Sequence, residues 1–113
     1  MNWRYFKQQD IVDDFLIKYS AHTEESELSD YFDTTIHNVS EMYQKIKEDR
    51  ALWECYRVEV FMDNRCIGTE YLENCYNELP ITEEQLIKII KEKNTYKEAI
   101  ETAKRWCRWW QCH

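Results

Sequence analysis

Glycine and proline are almost absent from this chain, which has one of each in 113 residues. Phosphate-binding loops need several glycines to bring bare backbone against a pyrophosphate, and the single glycine, Gly68, cannot build one. Long apolar runs are also missing, because no uninterrupted run exceeds three residues. The sequence therefore excludes nucleotide-binding loops of the Rossmann and P-loop types. It also predicts neither a transmembrane helix nor the core of a signal peptide.

Negative charge dominates what is present. The chain has 22 acidic residues against 15 basic ones, which gives a formal net charge of −7. A hydrophobic content of 43% is sufficient for a core, so we expect one folded domain over residues 1–113. An acidic total argues against direct binding of nucleic acid or of a membrane and favours a basic protein partner.

Cysteine and histidine offer no recognisable site. The five cysteines are an odd number, and the start of the chain has no secretory leader, so we expect reduced thiols in a cytosolic protein. No Cys-x-x-Cys pair exists, and the three histidines have no Glu or His at metal-site spacing. We therefore predict no metal, no cofactor and no enzymatic activity. A catalytic Ser/His or Cys/His pair is the alternative that the sequence leaves open.

Apolar residues in the first half recur at helical spacing and predict three helices. The first covers about Asp10–Tyr19. The second is short and has Thr23 as its N-cap, with acidic residues in the first turn. The third begins at Thr34 or Thr35. The expected apolar stripes are Ile11, Val12, Phe15, Leu16 and Tyr19, then Leu28, Tyr31 and Phe32, then Ile36, Val39, Tyr43, Ile46 and Trp53.

The second half predicts one hairpin and two helices. Residues 56–62 alternate at period two, and 66–72 return after a turn at Asp63-Asn64-Arg65. Capping boxes at Thr82 and Thr95 each predict a helix start. The last helix has the apolar seam Tyr96, Ile100, Ala103, Cys107 and Trp110. The predicted fold class is α+β, a helix-rich single domain with one antiparallel β-hairpin packed on helices.

Acidic residues cluster in residues 10–33, which contain eight carboxylates and one base, Lys18. On a helix, carboxylates three or four positions apart lie roughly 5–6 Å from each other, which is of the order of the phosphate spacing in nucleic acid. This predicts a phosphate-mimicking face for a basic groove. The alternative is a solvated surface with acids at helix starts. The predicted partner-binding residues are Asp10, Asp13, Asp14, Glu24, Glu25, Glu27, Asp30 and Asp33.

In its size, composition and acidic segment Asp10–Asp33, the chain resembles phage-encoded counter-defence proteins, above all anti-CRISPR proteins. Many of those are acidic single domains that block the nucleic-acid groove of an effector. The group has no diagnostic motif, so no family residues can be transferred. The resemblance implies a non-enzymatic inhibitor of a CRISPR effector nuclease or a similar enzyme, acting in the cytoplasm of a bacterial host cell.

Arginine and tryptophan alternate near the C-terminus, in Lys104–Trp110. The seam of the last helix assigns Trp110 to the core, whereas Trp106 lies near the edge of that seam and Trp109 points away from it. Trp106 and Trp109 are therefore a candidate second interface, and packing within the molecule is the alternative. The alternative function is a small structural or adaptor protein that forms a homodimer through this Trp-rich helix.

Overall fold

The computed structural model describes residues 2–111, with side chains described up to residue 109. Its centre is one four-stranded antiparallel sheet in the order β1-β2-β3-β4, so that consecutive strands are neighbours. Three helices and a short 3₁₀ turn complete the fold. The strands are β1 (Arg4–Val12), β2 (Phe15–Thr23), β3 (Ala51–Met62) and β4 (Arg65–Glu78), and the helices are α1 (Val39–Lys47), α2 (Glu83–Lys91) and α3 (Asn94–Gln111).

The predicted fold class is wrong, because the sheet dominates this α+β fold and contains two hairpins rather than one. The predicted first helix, about Asp10–Tyr19, is the hairpin of β1 and β2. Its turn is Asp13-Asp14, and Asp13 takes the left-handed conformation (φ 55°) that Asp tolerates better than most residues. The apolar residues buried from β2 are spaced two apart, as in a strand: Phe15, Ile17, Tyr19 and Ala21.

The two other helices predicted in the first half are corrected in different ways. Thr23 is not an N-cap but the last residue of β2, and the segment after it contains only the 3₁₀ turn Leu28–Asp30. The third helix exists as α1, but it begins at Val39, because Asn38 caps it by accepting a hydrogen bond from the Glu41 amide. Trp53, predicted to extend this helix, belongs to β3.

The second hairpin confirms the strand prediction and extends it to 12 and 14 residues. Asp63 and Asn64 both have positive φ, at 52° and 65°, which is the geometry of a tight two-residue hairpin turn. The register pairs Val60 with Gly68.

The core lies between one face of the sheet and helices α2 and α3. Leu86, Ile87 and Ile90 of α2 are buried against the sheet, as are Ile100 and Ala103 of α3. The predicted seam of α3 therefore does face the core, although the side chain of Trp110 lies outside the described residues.

Of the two predicted capping boxes, one is present. The Thr82 hydroxyl accepts from the Gln85 amide at 3.1 Å, and the Gln85 side chain accepts from the Thr82 amide at 2.8 Å. Thr95 is not an N-cap, because α3 already begins at Asn94. The hydroxyl of Thr95 instead donates to the Tyr71 carbonyl of β4 at 3.5 Å.

Candidate functional site

The sheet face opposite α2 and α3, here the outer face, has an ordered row of polar and aromatic side chains. Tyr5 pairs with Ser20, Ser20 with Arg57, and Arg57 with Tyr71, so one residue of each strand stands in the same line. Tyr5 and Tyr71 are about half exposed. Helices therefore cover one face of the sheet and leave aromatic groups accessible on the other.

Arg57 is the centre of this row. Its Nε donates to Ser20 Oγ at 3.0 Å, and its Nη2 donates to the Tyr5 hydroxyl at 3.1 Å and lies 3.4 Å from Glu59 Oε1. The guanidinium also stacks 4.5 Å above the ring of Trp3. The Tyr5 hydroxyl donates to Glu59 at 2.8 Å, which is the main reason that the pKa of Tyr5 is raised. The contacts hold the aromatic groups of the outer face in place.

The net charge of the protein is concentrated at one end of the sheet. We define the acidic end as residues 24–50 together with Glu73 and Glu78 of β4. It contains ten carboxylates and three bases, a net charge of −7, while the rest of the chain has twelve of each. These parts meet in space, since the Glu24 amide donates to the Trp53 carbonyl and Lys45 of α1 pairs with Glu78 at 2.7 Å.

The structure divides the predicted acidic segment into two separate groups. Asp13 and Asp14 form the β1–β2 turn, and Glu24 follows Thr23 at the far end of β2. A nine-residue strand spans roughly 30 Å, so these groups lie at opposite ends of the sheet. The predicted helical face of carboxylates does not exist, because none of these residues is in an α-helix.

Asp10 is engaged inside the molecule. Its carboxylate accepts from the Tyr19 hydroxyl at 2.6 Å and pairs with Lys91 of α2 at 2.9 Å. Burial alone would raise the pKa of Asp10, but the hydrogen bonds from Tyr19 and Lys91 and the charge of Lys91 outweigh it, so the pKa is lowered. This residue connects β1 to α2 rather than facing a partner.

Glu24 is likewise committed to the fold. Its Oε1 accepts from the amides of Glu25 and Ser26 at 3.1 and 3.4 Å, and its Oε2 accepts from the Asn74 amide at 3.1 Å. Asn74 is free to donate because β4 bulges here, with one more residue than β3 between the pairs Glu54–Cys75 and Tyr56–Leu72. The other predicted acids of this end, Glu25, Glu27, Asp30 and Asp33, are exposed.

A cavity of about 430 Å³ opens where the acidic end meets the outer face. Part of its lining is aromatic, where the Trp3 ring lies 5.4 Å from His22 and 5.7 Å from Tyr71. Acidic residues from two segments that are distant in sequence also line it, namely Glu24, Glu25 and Glu73, together with Cys55.

The negative charge around this cavity affects the pKa of the Cys55 thiol. Burial raises the pKa of Cys55 most, and the negative charges of Glu24 and Glu73 raise it further. A thiol with a raised pKa is a poor nucleophile at neutral pH.

The two tryptophans of the predicted second interface lie near the end of α3. Trp106 is half-buried and packs against the core, where it borders Met62. Trp109 is 55% exposed. A homodimer through this helix stays a prediction.

Within residues 2–111, no three His, Cys, Asp or Glu side chains are placed to hold a metal ion. Cys55, Cys66, Cys75 and Cys107 are free thiols. Cys112 and His113 lie outside the described residues. No helix in the described part is long and apolar enough to cross a membrane.

Comparisons with protein-family models, curated proteins and solved structures find no match for this chain. The candidate site therefore depends on its own geometry. Sequence reasoning missed Trp3, His22, Cys55, Tyr71 and Glu73 among its residues. Recognising β2 as a strand could have placed His22 at its end, but the other four reach the cavity only through the pairing of the strands.

Proposed function

We propose that this chain is a non-enzymatic binding protein that inhibits a nucleic-acid-handling enzyme by placing its acidic end against the enzyme's basic groove. In the form that the sequence resemblance suggests, the enzyme is a CRISPR effector nuclease in the cytoplasm of a bacterial host cell. The observation that carries the proposal is the concentration of the whole net charge, −7, at one end of an elongated molecule.

Charge separation of this kind supports a directed approach to a basic partner. The molecule measures 54 × 26 × 25 Å, and the rest of the chain has no net charge to compete for the groove. Like charges held together repel each other, and a basic surface relieves that repulsion. Such complementarity acts mainly on association rate and specificity, so salt should weaken the complex strongly.

A matched pair of triple variants tests which end is used. The acidic-end variant is Glu27→Gln, Asp30→Asn and Asp33→Asn. The control, Asp13→Asn, Asp14→Asn and Asp63→Asn, removes the same number of charges from the turns at the opposite end. Asn tolerates the positive φ of Asp13 and Asp63, so the control preserves the turns.

Target-DNA cleavage by a panel of RNA-guided nucleases is then measured at low and moderate salt. We expect the parent to inhibit at least one effector, the acidic-end variant to bind it about tenfold more weakly, and the control to match the parent. Equal effects of both variants, or no inhibition of any effector, would contradict the proposal. Sedimentation velocity on the same samples tests the alternative, since a homodimer through Trp106 and Trp109 should survive both variants.

A further inference from the structure

We propose that the cavity between the acidic end and the outer face is a receptor for an arginine side chain of the basic partner. This rests on the proposed function, because it assigns the partner chemistry that the acidic end would recognise. The juxtaposition that carries it is one cavity lined both by the aromatic rings of Trp3 and Tyr71 and by the acidic residues Glu25 and Glu73.

Aromatic rings and carboxylates that line one cavity can together bind a guanidinium group. The planar cation of arginine stacks on aromatic faces and donates two parallel hydrogen bonds to a carboxylate. The protein already shows the first half of this recognition within the same cluster, where its own Arg57 stacks 4.5 Å above Trp3. The half-exposed ring of Tyr71 offers a second surface of this type.

One carboxylate of the cavity is fixed in place before any partner arrives. Glu24 is held by amides from its own loop and from Asn74 of β4. The bulge at Asn74 also separates Glu73 from the regular ladder, and both Glu25 and Glu73 remain exposed. A preorganised site loses less conformational entropy on binding than a flexible one.

The volume is sufficient for one arginine side chain. At about 430 Å³, the cavity lies in the lower part of the range of small-molecule sites. A neutral ligand would leave the negative charges of the carboxylates that line the cavity unbalanced, whereas a cation pairs with them. Lysine has the charge but not the planar group, so we expect it to bind more weakly than arginine.

The test uses the full chain and two capped peptides, acetyl-Gly-Arg-Gly-amide and the same peptide with neutral citrulline in place of arginine. Alkylation of Cys55 by iodoacetamide is followed by peptide mapping, with the exposed Cys66 as an internal reference outside the cavity. Amide chemical shifts of Trp3 and Tyr71 give a second measurement that does not depend on thiol reactivity. A lysine peptide and free arginine amide complete the set.

We expect the arginine peptide to change the rate of alkylation of Cys55 but not that of Cys66, and to shift the amides of Trp3 and Tyr71. Citrulline should do neither. The pair Glu25→Gln and Glu73→Gln should weaken arginine binding about tenfold, whereas the control pair Glu27→Gln and Asp30→Asn removes the same charge outside the cavity and should leave it unchanged. If free arginine amide binds as tightly as the peptide, the site takes a small guanidine ligand and not a partner's side chain.

Equal binding of citrulline, no effect of the arginine peptide, or equal weakening by both pairs would overturn the arginine site. The proposed function is separable from it. If the acidic-end triple variant weakens binding to the effector as expected while the cavity pair Glu25→Gln and Glu73→Gln behaves like the parent toward the peptide, the acidic end is used without this cavity. If instead the cavity pair weakens peptide binding and the acidic-end triple variant inhibits like the parent, the arginine site is supported and the proposed binding to a basic groove is rejected.

Discussion

At the scale of single residues, carboxylates with similar local sequence have different roles. Asp10 and Asp14 are both in the predicted acidic segment, yet Asp10 is paired with Tyr19 and Lys91, whereas Asp14 is an exposed turn residue. The difference comes from α2, which brings Lys91 to the edge of β1. An acidic residue is available to a partner only where the fold does not use its charge.

Replacing Asp10 by Asn should reduce stability by about 1 kcal/mol at neutral pH, because a hydrogen-bonded ion pair is lost and part of it is screened by solvent. The pKa of Asp10 is lowered in the folded state, so its contribution is complete above the ordinary Asp pKa of about 3.9 and disappears as the pH falls through the folded-state value. Urea unfolding of the parent and the Asp10→Asn variant at a series of pH values measures this. A stability difference that grows toward low pH would have the wrong sign for this explanation.

At the scale of elements, the close contact between β4 and α3 explains the one glycine of the chain. Gly68 does not have a positive φ, so its role is steric rather than conformational. A Cβ at this position would lie 2.5 Å from the Ala99 carbonyl oxygen and 3.3 Å from the Ala103 amide nitrogen. Small residues on both elements therefore let the helix lie directly on the strand.

Replacing Gly68 by Ala should destabilise the protein by about 1–3 kcal/mol, since backbone atoms of α3 would have to move away from the sheet. Urea unfolding gives the change in free energy. Cys66→Ser, at an exposed position of the same strand, is the control and should have little effect. An unchanged unfolding midpoint for Gly68→Ala would mean that α3 is not packed on β4 as closely as described.

At the scale of the whole molecule, the net charge lies toward one end of the long axis. The acidic end has all the net charge, and the β1–β2 and β3–β4 turns lie at the other end of the 54 Å long axis. Asp13, Asp14 and Asp63 are acids of that far end, where Arg65 and Lys18 lie close in the strands. The field of the molecule is therefore directional rather than uniform.

An oligolysine peptide should report this direction without any knowledge of the natural partner. In an NMR titration at low salt, we expect amide shifts in residues 24–50 and around Glu73 and Glu78, with little change in the turns at Asp13 and Asp63. Raising the salt concentration should remove the shifts, because exposed charges are screened. Shifts of equal size at both ends would show that the protein has no preferred electrostatic surface.

The second hairpin, the Thr82 cap and the apolar seam of α3 were predictable because their signals are local. Alternation in residues 56–62 and the Asp63-Asn64 turn are enough to identify two strands, and Thr82 with Gln85 satisfies amides within the same turn of helix. The first hairpin was not predictable in the same way. Its apolar residues Ile11, Val12, Phe15, Leu16 and Tyr19 also fit one arc of a helix.

The residues of the candidate site also differ in whether the sequence could identify them. Exposed acids such as Glu25 and Glu27 could be named from the clustering of acidic residues along the chain. Glu73 and Tyr71 could not, because they reach the cavity only through the pairing of β4 with β3 and the bulge at Asn74. Trp3 depends on the pairing of β1 with β2 in the same way.

By itself, the amino-acid sequence determined the amount of negative charge, the lack of Gly-rich loops and those elements whose stabilising contacts lie within a few residues. Only the tertiary structure decided that residues 10–19 form strands, because β2 satisfies its backbone by pairing with β3, where Ile17 meets Val60 across 43 positions of sequence. It also decided where the charge lies. Coulomb energy depends on distance in space, so the fold decides how charges along the chain add up. The electrostatic field becomes directional only because β4 and α1 bring Glu73, Glu78 and residues 24–50 to one end of the molecule.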